Sequence, residues 1–123
     1  MGKRVLLIED EPNIIEAISF ILSRDGWTVH IHEDGATAMD KVRATPPDMI
    51  ILDVMLPGRS GFDILRDVRA EPDMTDLPVM MLTARGQTKD RELAERLGAT
   101  RYVTKPFSNT DIRDQVRDLI EGT

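Results

Sequence analysis

Asp48-Met49-Ile50-Ile51-Leu52-Asp53 is a short apolar run that stops on a carboxylate. A continuous apolar run, as opposed to an alternating one, reads as a strand buried on both faces of a parallel sheet. Open α/β sheets place ligands just outside the carboxyl ends of their strands. Three other apolar runs also end on reactive residue types. Val5-Leu6-Leu7-Ile8 precedes Glu9 and Asp10, Val79-Met80-Met81-Leu82 precedes Thr83, and Tyr102-Val103-Thr104 precedes Lys105 and Pro106. If these strands are parallel, three acids, a hydroxyl and an ammonium meet at one edge.

Helical patterns separate the runs. Pro12 suits the first position of a helix, and Ile14, Ile18, Ile21 and Leu22 form an apolar stripe behind it before Gly26 stops it. A second strand spans about 28–32, and a helix follows the Asp34-Gly35 turn to about Arg43. Pro46-Pro47 force an extended approach to the run at 48–53. The loop Val54–Ser60 carries a Pro57-Gly58 turn, and Ser60 with Asp63 has the spacing of a capping box at the start of a third helix, which Pro72 ends. Pro78 leads into the next strand. A helix over about 89–97 stops at Gly98, and Ser108 with Asp111 starts a last helix that fades near Glu121. Strands alternating with helices mean βαβ units and a parallel sheet, and right-handed crossovers leave few topologies.

With 123 residues the chain has the size of one domain. It has no cysteine, which excludes disulfides, thiolate metal sites and thiol chemistry and fits a reducing cytoplasm. No apolar run approaches a membrane span, and the N-terminus lacks a signal-peptide core. The net charge of -6 is opposite to that of a nucleic-acid module, so neither membrane nor direct nucleic-acid binding is expected. His30 and His32 share one face of the second strand, but zinc sites want three or four protein ligands. An exposed edge-strand face is the expected setting for the pair.

Glu9, Asp10 and Asp53 together point to a cation. Two bare carboxylates about 4 Å apart repel by about 1 to 4 kcal/mol, depending on the local dielectric. Oxygen ligands without histidine or cysteine select a hard ion. Magnesium fits, because it uses one or two carboxylates, keeps waters and accepts phosphate oxygens. Lys105 near the acids balances charge and can hold a phosphate oxygen, and Thr83 can donate to the same oxygen. The Lys105-Pro106 bond is the one expected to be cis, aiming a side chain from a tight turn. These parts suit phosphoryl transfer onto a carboxylate.

The chain resembles the receiver domain of two-component response regulators over nearly its whole length, and 1–123 is expected to form one such domain. The resemblance rests on Glu9-Asp10-Glu11-Pro12, on Ile51-Leu52-Asp53-Val54-Met55-Leu56-Pro57 with Gly61, on Leu82-Thr83-Ala84, and on Gly98-Ala99 through Tyr102 to Lys105-Pro106-Phe107. It implies a flavodoxin-like (βα)5 doubly wound fold, a five-stranded parallel sheet in order 2-1-3-4-5 with helices on both faces. It implies that Asp53 accepts a phosphoryl group from a histidine of a sensor histidine kinase or a histidine phosphotransfer protein. Asp10 and Asp53 would bind Mg2+ (or Mn2+ in its place) by side chain, Met55 by its backbone carbonyl, and Glu9 through water. Thr83 and Lys105 would bind the phosphoryl oxygens, and Tyr102 would be the switch aromatic, reshaping the face of the fourth helix, fifth strand and fifth helix for a downstream protein. The chain would be a signalling switch that assists its own phosphorylation and dephosphorylation, and not a turnover enzyme.

Departures from the family pattern narrow this. The winged-helix branch, whose receivers form half of longer DNA-binding regulators, often carries Asp-Asp before the tyrosine, paired across a dimer with arginines of the fifth helix. Here Thr100 and Arg101 stand there, and Arg113 and Arg117 lose those partners. A monomer or a weak phosphorylation-dependent dimer is therefore expected, although Leu82-Thr83-Ala84-Arg85-Gly86 resembles that branch. Met55 and Arg85 occupy positions that tune phosphoryl lifetime in the family. An aspartate-nucleophile phosphohydrolase would share the Asp53 chemistry but wants a second aspartate where Met55 stands. A flavodoxin-like FMN binder would share the fold, but Glu9-Asp10-Glu11 would repel its phosphate.

Overall fold

The apolar run before Asp53 forms strand β3 (Met49–Leu52), whose four side chains are fully buried. In the computed structural model, which describes residues 3–84 and 86–121, β3 lies at the centre of the sheet. Strands β1 (Arg4–Ile8) and β4 (Val79–Thr83) flank it, and β2 (Thr28–His32) and β5 (Arg101–Thr104) form the edges. The order is β2-β1-β3-β4-β5 and every pairing is parallel. Among the described residues four α-helices connect the strands, α1 (Pro12–Arg24), α2 (Ala38–Ala44), α3 (Gly61–Ala70) and α4 (Thr88–Leu97), and a fifth, α5 (Asn109–Glu121), follows β5. This is the flavodoxin-like doubly wound architecture.

Alternation along the strands divides the core into two layers. Leu6, Ile8, Ile50, Leu52 and Met81 pack against Val42 of α2, Leu65 and Val68 of α3 and Ala94 of α4. Val5, Leu7, Met49, Ile51 and Leu82 pack against Ile18 and Leu22 of α1 and Ile112 and Val116 of α5. Full burial of each such side chain is worth about 1.5–3 kcal/mol. Asp53, the residue immediately after Leu52, therefore leaves a firmly anchored strand.

Local chemistry ends and starts the helices. Ser60 Oγ accepts from the Asp63 amide at 3.2 Å, and Ser108 Oγ from the Asp111 amide at 3.0 Å. Gly98 takes a left-handed φ of 98° after α4, and the Gly98 and Ala99 amides close the helix end on the Glu95 and Ala94 carbonyls. Two details differ from expectation. The Asp34-Gly35 turn is a 3-10 turn over Gly35–Thr37, started by the Asp34 side chain accepting from the Ala36 amide at 2.9 Å. His30 and His32 are half-buried, not exposed, because their face of β2 turns toward α2, and His32 Nε2 lies 2.7 Å from Thr37 Oγ1. The exposed residues of this edge strand are Thr28 and Ile31.

Gly61 shows how tightly the Asp53 loop is folded. A Cβ on Gly61 would stand 2.1 Å from the Asp53 carbonyl oxygen and 2.9 Å from Val54 Cα, while its amide donates to the Val54 carbonyl at 2.9 Å. At a helix start, alanine in place of glycine ordinarily stabilises, by up to about 1 kcal/mol. Here backbone would have to move. Gly61→Ala is expected to destabilise by about 1–3 kcal/mol, read as a lower urea midpoint with an unchanged slope; a midpoint at or above that of the parent would refute this close packing.

Candidate functional site

The sheet order reverses between β1 and β3. Chain leaving β1 turns toward β2, chain leaving β3 turns toward β4, and the crevice between them is where open α/β sheets bind ligands. Glu9 and Asp10 follow β1 and Asp53 follows β3. Backbone bonds hold both ends in place: the Glu9 amide donates to the His32 carbonyl at 3.0 Å and the Asp53 amide to the Ile8 carbonyl at 3.1 Å. Among the described residues Glu9, Asp10 and Asp53 each offer a carboxylate oxygen within 4.8 Å of the others.

Their environments differ. Glu9 is 1% exposed and Asp53 6%, whereas Asp10 is exposed. Glu9 Oε2 accepts from the amides of Asp10 and Glu11, both at 3.2 Å. Lys105 reaches in from beyond β5 and places Nζ 3.2 Å from Glu9 Oε1 and 3.5 Å from Asp53 Oδ2. Its amide donates to the Thr83 carbonyl at 2.8 Å, and its peptide bond to Pro106 is cis. Thr83 is fully buried at the end of β4. The Met55 amide donates to Asp53 Oδ1 at 3.4 Å while the Met55 side chain is exposed. Tyr102 is half-buried on β5. Arg85 lies outside the described residues.

Among the described residues the acidic charge at this edge exceeds the basic charge. Burial first, and the Asp53 charge second, push the Glu9 carboxyl up to about 7. Burial works against the Lys105 ammonium, but Asp53 and Glu9 outweigh it and hold its pKa above the usual lysine value. Among the described residues one ammonium thus faces three carboxylates, and the buried Glu9 Oε1 makes no hydrogen bond of good geometry. An all-oxygen cluster of this kind fits a hard divalent ion.

Two arrangements here had no sequence signal. Glu9 is the most buried acid of the cluster and lies nearer to Lys105 than Asp53 does. Thr100, where an acid stands in the winged-helix branch, pairs with Val79: its amide donates to the Val79 carbonyl at 2.9 Å and its Oγ1 accepts from the Val79 amide at 3.1 Å.

Relieving the repulsion should stabilise the metal-free protein. Asp10→Asn is expected to raise the melting temperature in EDTA by about 3–5 °C, corresponding to about 1 kcal/mol at a partly screened site. The same variant should lose most of the stabilisation that added Mg2+ confers on the parent. A lower melting temperature in EDTA would mean that Asp10 is not held against like charge.

Comparison with known proteins places this site in a family. The response regulator receiver domain model matches residues 5–117. The receiver domain of a signal transduction histidine kinase from Syntrophus aciditrophicus is 29% identical, with a TM-score of 0.91, and the match covers 99% of this chain and 92% of that one. The chemotaxis response regulator CheY4 of Vibrio cholerae is 27% identical, with a TM-score of 0.90 and coverage of 97% and 99%. The receiver domain of a sensor histidine kinase from Pseudomonas aeruginosa, solved with a magnesium ion in its active-site cleft, is 29% identical, with a TM-score of 0.89 and coverage of 98% and 99%. With five parallel strands in receiver order and an acidic cluster at their switch point, the chain belongs to the response regulator receiver domain family of two-component signalling.

Proposed function

We propose that Asp53 stores a phosphoryl group received from a phosphohistidine of a sensor histidine kinase or histidine phosphotransfer protein, with Mg2+ as the cofactor and Mn2+ able to replace it. The observation that carries this reading is the Lys105 ammonium set within 3.5 Å of both Glu9 and Asp53 in an all-oxygen acidic cluster. The magnesium in the cleft of the Pseudomonas aeruginosa relative supports the same ion here. The Asp10 and Asp53 side chains and the Met55 carbonyl would hold it, with Glu9 acting through water.

When bound, magnesium supplies positive charge to oxygens that gain negative charge during transfer. An oxygen of Asp53 attacks phosphorus, the bond from phosphorus to the donor imidazole nitrogen breaks, and its electron pair leaves with the ring. Lys105, already beside Asp53, neutralises charge on the incoming oxygens as a point charge. Thr83, at the end of the neighbouring strand, donates its hydroxyl to one of them. The phosphoryl group adds about -1.5 to -2 charges, drawing Thr83 and Lys105 toward it. Tyr102 then moves, and the face of α4, β5 and α5 changes for a downstream protein. Phosphorylation biases two existing arrangements; it does not create a new one.

The acting unit is one receiver domain over 1–123, in the cytoplasm, as a monomer or weak phosphorylation-dependent dimer. Intrachain contacts support this: Arg117 Nε donates to Asp25 Oδ2 at 2.7 Å, and Arg101 lies 3.8 Å from Asp118. These arginines are thus engaged within their own chain.

Acetyl phosphate with Mg2+ is expected to add a single phosphoryl mass to the protein, and Asp53→Asn to abolish it. Full labelling of that variant would overturn the assignment. Lys105→Ala should accumulate phosphoprotein yet leave the amide resonances of the α4-β5-α5 face unmoved; a normal shift pattern would remove Lys105 from the switch.

A further inference from the structure

Arg91, on the exposed side of α4, reaches β5 and makes two contacts with one residue. Its guanidinium carbon lies 4.9 Å from the centre of the Tyr102 ring, and its Nη1 donates to the Tyr102 carbonyl at 3.1 Å. The ring's negative face attracts the guanidinium, and the bond to the main chain keeps the cation in register over it. Tyr102 also packs against the core layer that contains Met81 and Ala94.

The far end of α4 is held separately. Arg69 Nε donates to the Gly98 carbonyl at 2.9 Å, and its Nη1 to the Met74 carbonyl at 2.9 Å. Helix α4 is therefore pinned at its C-terminal end to α3 and tied near its start to the Tyr102 ring.

We propose that Arg91 is a positioning residue for the switch, a latch that couples α4 to the Tyr102 ring and favours the arrangement in which the ring lies under the guanidinium. This rests on the roles given above to Asp53 and Tyr102. The ring cannot swing from under α4 without losing the guanidinium, and the start of α4 cannot shift along β5 without dragging or releasing the ring. Arg91 and Tyr102 also line a polar groove of about 280 Å³ together with Thr104, Phe107, Ser108 and Asp111. Opening the latch changes two walls of that groove, on the face a downstream protein would read. A contact of this exposure biases the equilibrium about two- to five-fold.

The chain has a single tyrosine, so 3-fluorotyrosine gives one fluorine resonance, from Tyr102. The full chain, Arg91→Ala and Arg91→Lys, each checked for parent-like circular dichroism, are compared first without phosphodonor in the presence of a neutral gadolinium chelate. The Arg91→Ala fluorine should relax faster than the parent's, with Arg91→Lys between, because lysine keeps the charge but not the planar cover. Equal relaxation in Arg91→Ala and the parent overturns the latch. Acetyl phosphate and Mg2+ are then added. The donor-free Arg91→Ala resonance should lie part-way along the displacement that the donor causes in the parent, as for a two- to five-fold larger switched population. A resonance off that line marks a local charge effect and overturns the coupling. A parent resonance that the donor leaves unmoved, with no phosphoryl mass on the protein, defeats the phosphorylation reading instead, and the gadolinium comparison still decides the latch.

Discussion

Like charge gathered at the switch point of the sheet is the constraint on which the site depends. Glu9, Asp10 and Asp53 bring three carboxylates within 4.8 Å of one another, and two of them are almost wholly buried. Such a cluster is unfavourable unless something positive enters it. Part of the answer is built in: Lys105, carried across from beyond the edge strand β5, reaches both Glu9 and Asp53. The rest is left to a proton or a divalent ion. An all-oxygen cluster with this excess of negative charge among the described residues is consistent with binding a divalent cation.

That tension is tolerable because the sheet beneath it is rigid. The four residues of β3 and the last four of β1 are buried on both faces, so the acids that follow them start from fixed backbone. The loop after Asp53 is just as confined. Gly61 lies against the Asp53 carbonyl, and the Gly35 amide donates to the Pro57 carbonyl at 2.9 Å, tying this loop to the turn before α2. In contrast, β5 and α4 are joined across their exposed side by the Arg91 contacts to Tyr102. Under the proposed function this would join rigidity at the chemical end to a side-chain tie at the face a partner reads, since close-packed cores shift between discrete arrangements more readily than they deform.

Much of the fold was legible because its signals are local. Apolar runs marked the strands, and Pro12, Ser60, Gly98 and Ser108 marked helix ends through caps that act within a few residues. The site residues were legible for a related reason: in a parallel sheet, whatever follows each strand arrives at the same edge. The setting of His30 and His32 was not legible, since the pattern of β2 alone does not say that the turn at Gly35–Thr37 folds over one of its faces. The burial of Glu9 was equally hidden, because a charged residue after a strand ordinarily faces water.

The sequence by itself determined the alternation of strands and helices, the acids, hydroxyl and ammonium at the strand ends, and the family whose motifs they spell. These follow from periodicity and from residue chemistry, which are properties of short stretches of chain. Only the tertiary structure decided the unequal burial of the three acids, the closer approach of Lys105 to Glu9 than to Asp53, the pairing of Thr100 with Val79, and the placement of Arg91 over Tyr102. Each of these joins residues from different elements, so its geometry is set by how helices pack on the sheet and not by spacing along the chain.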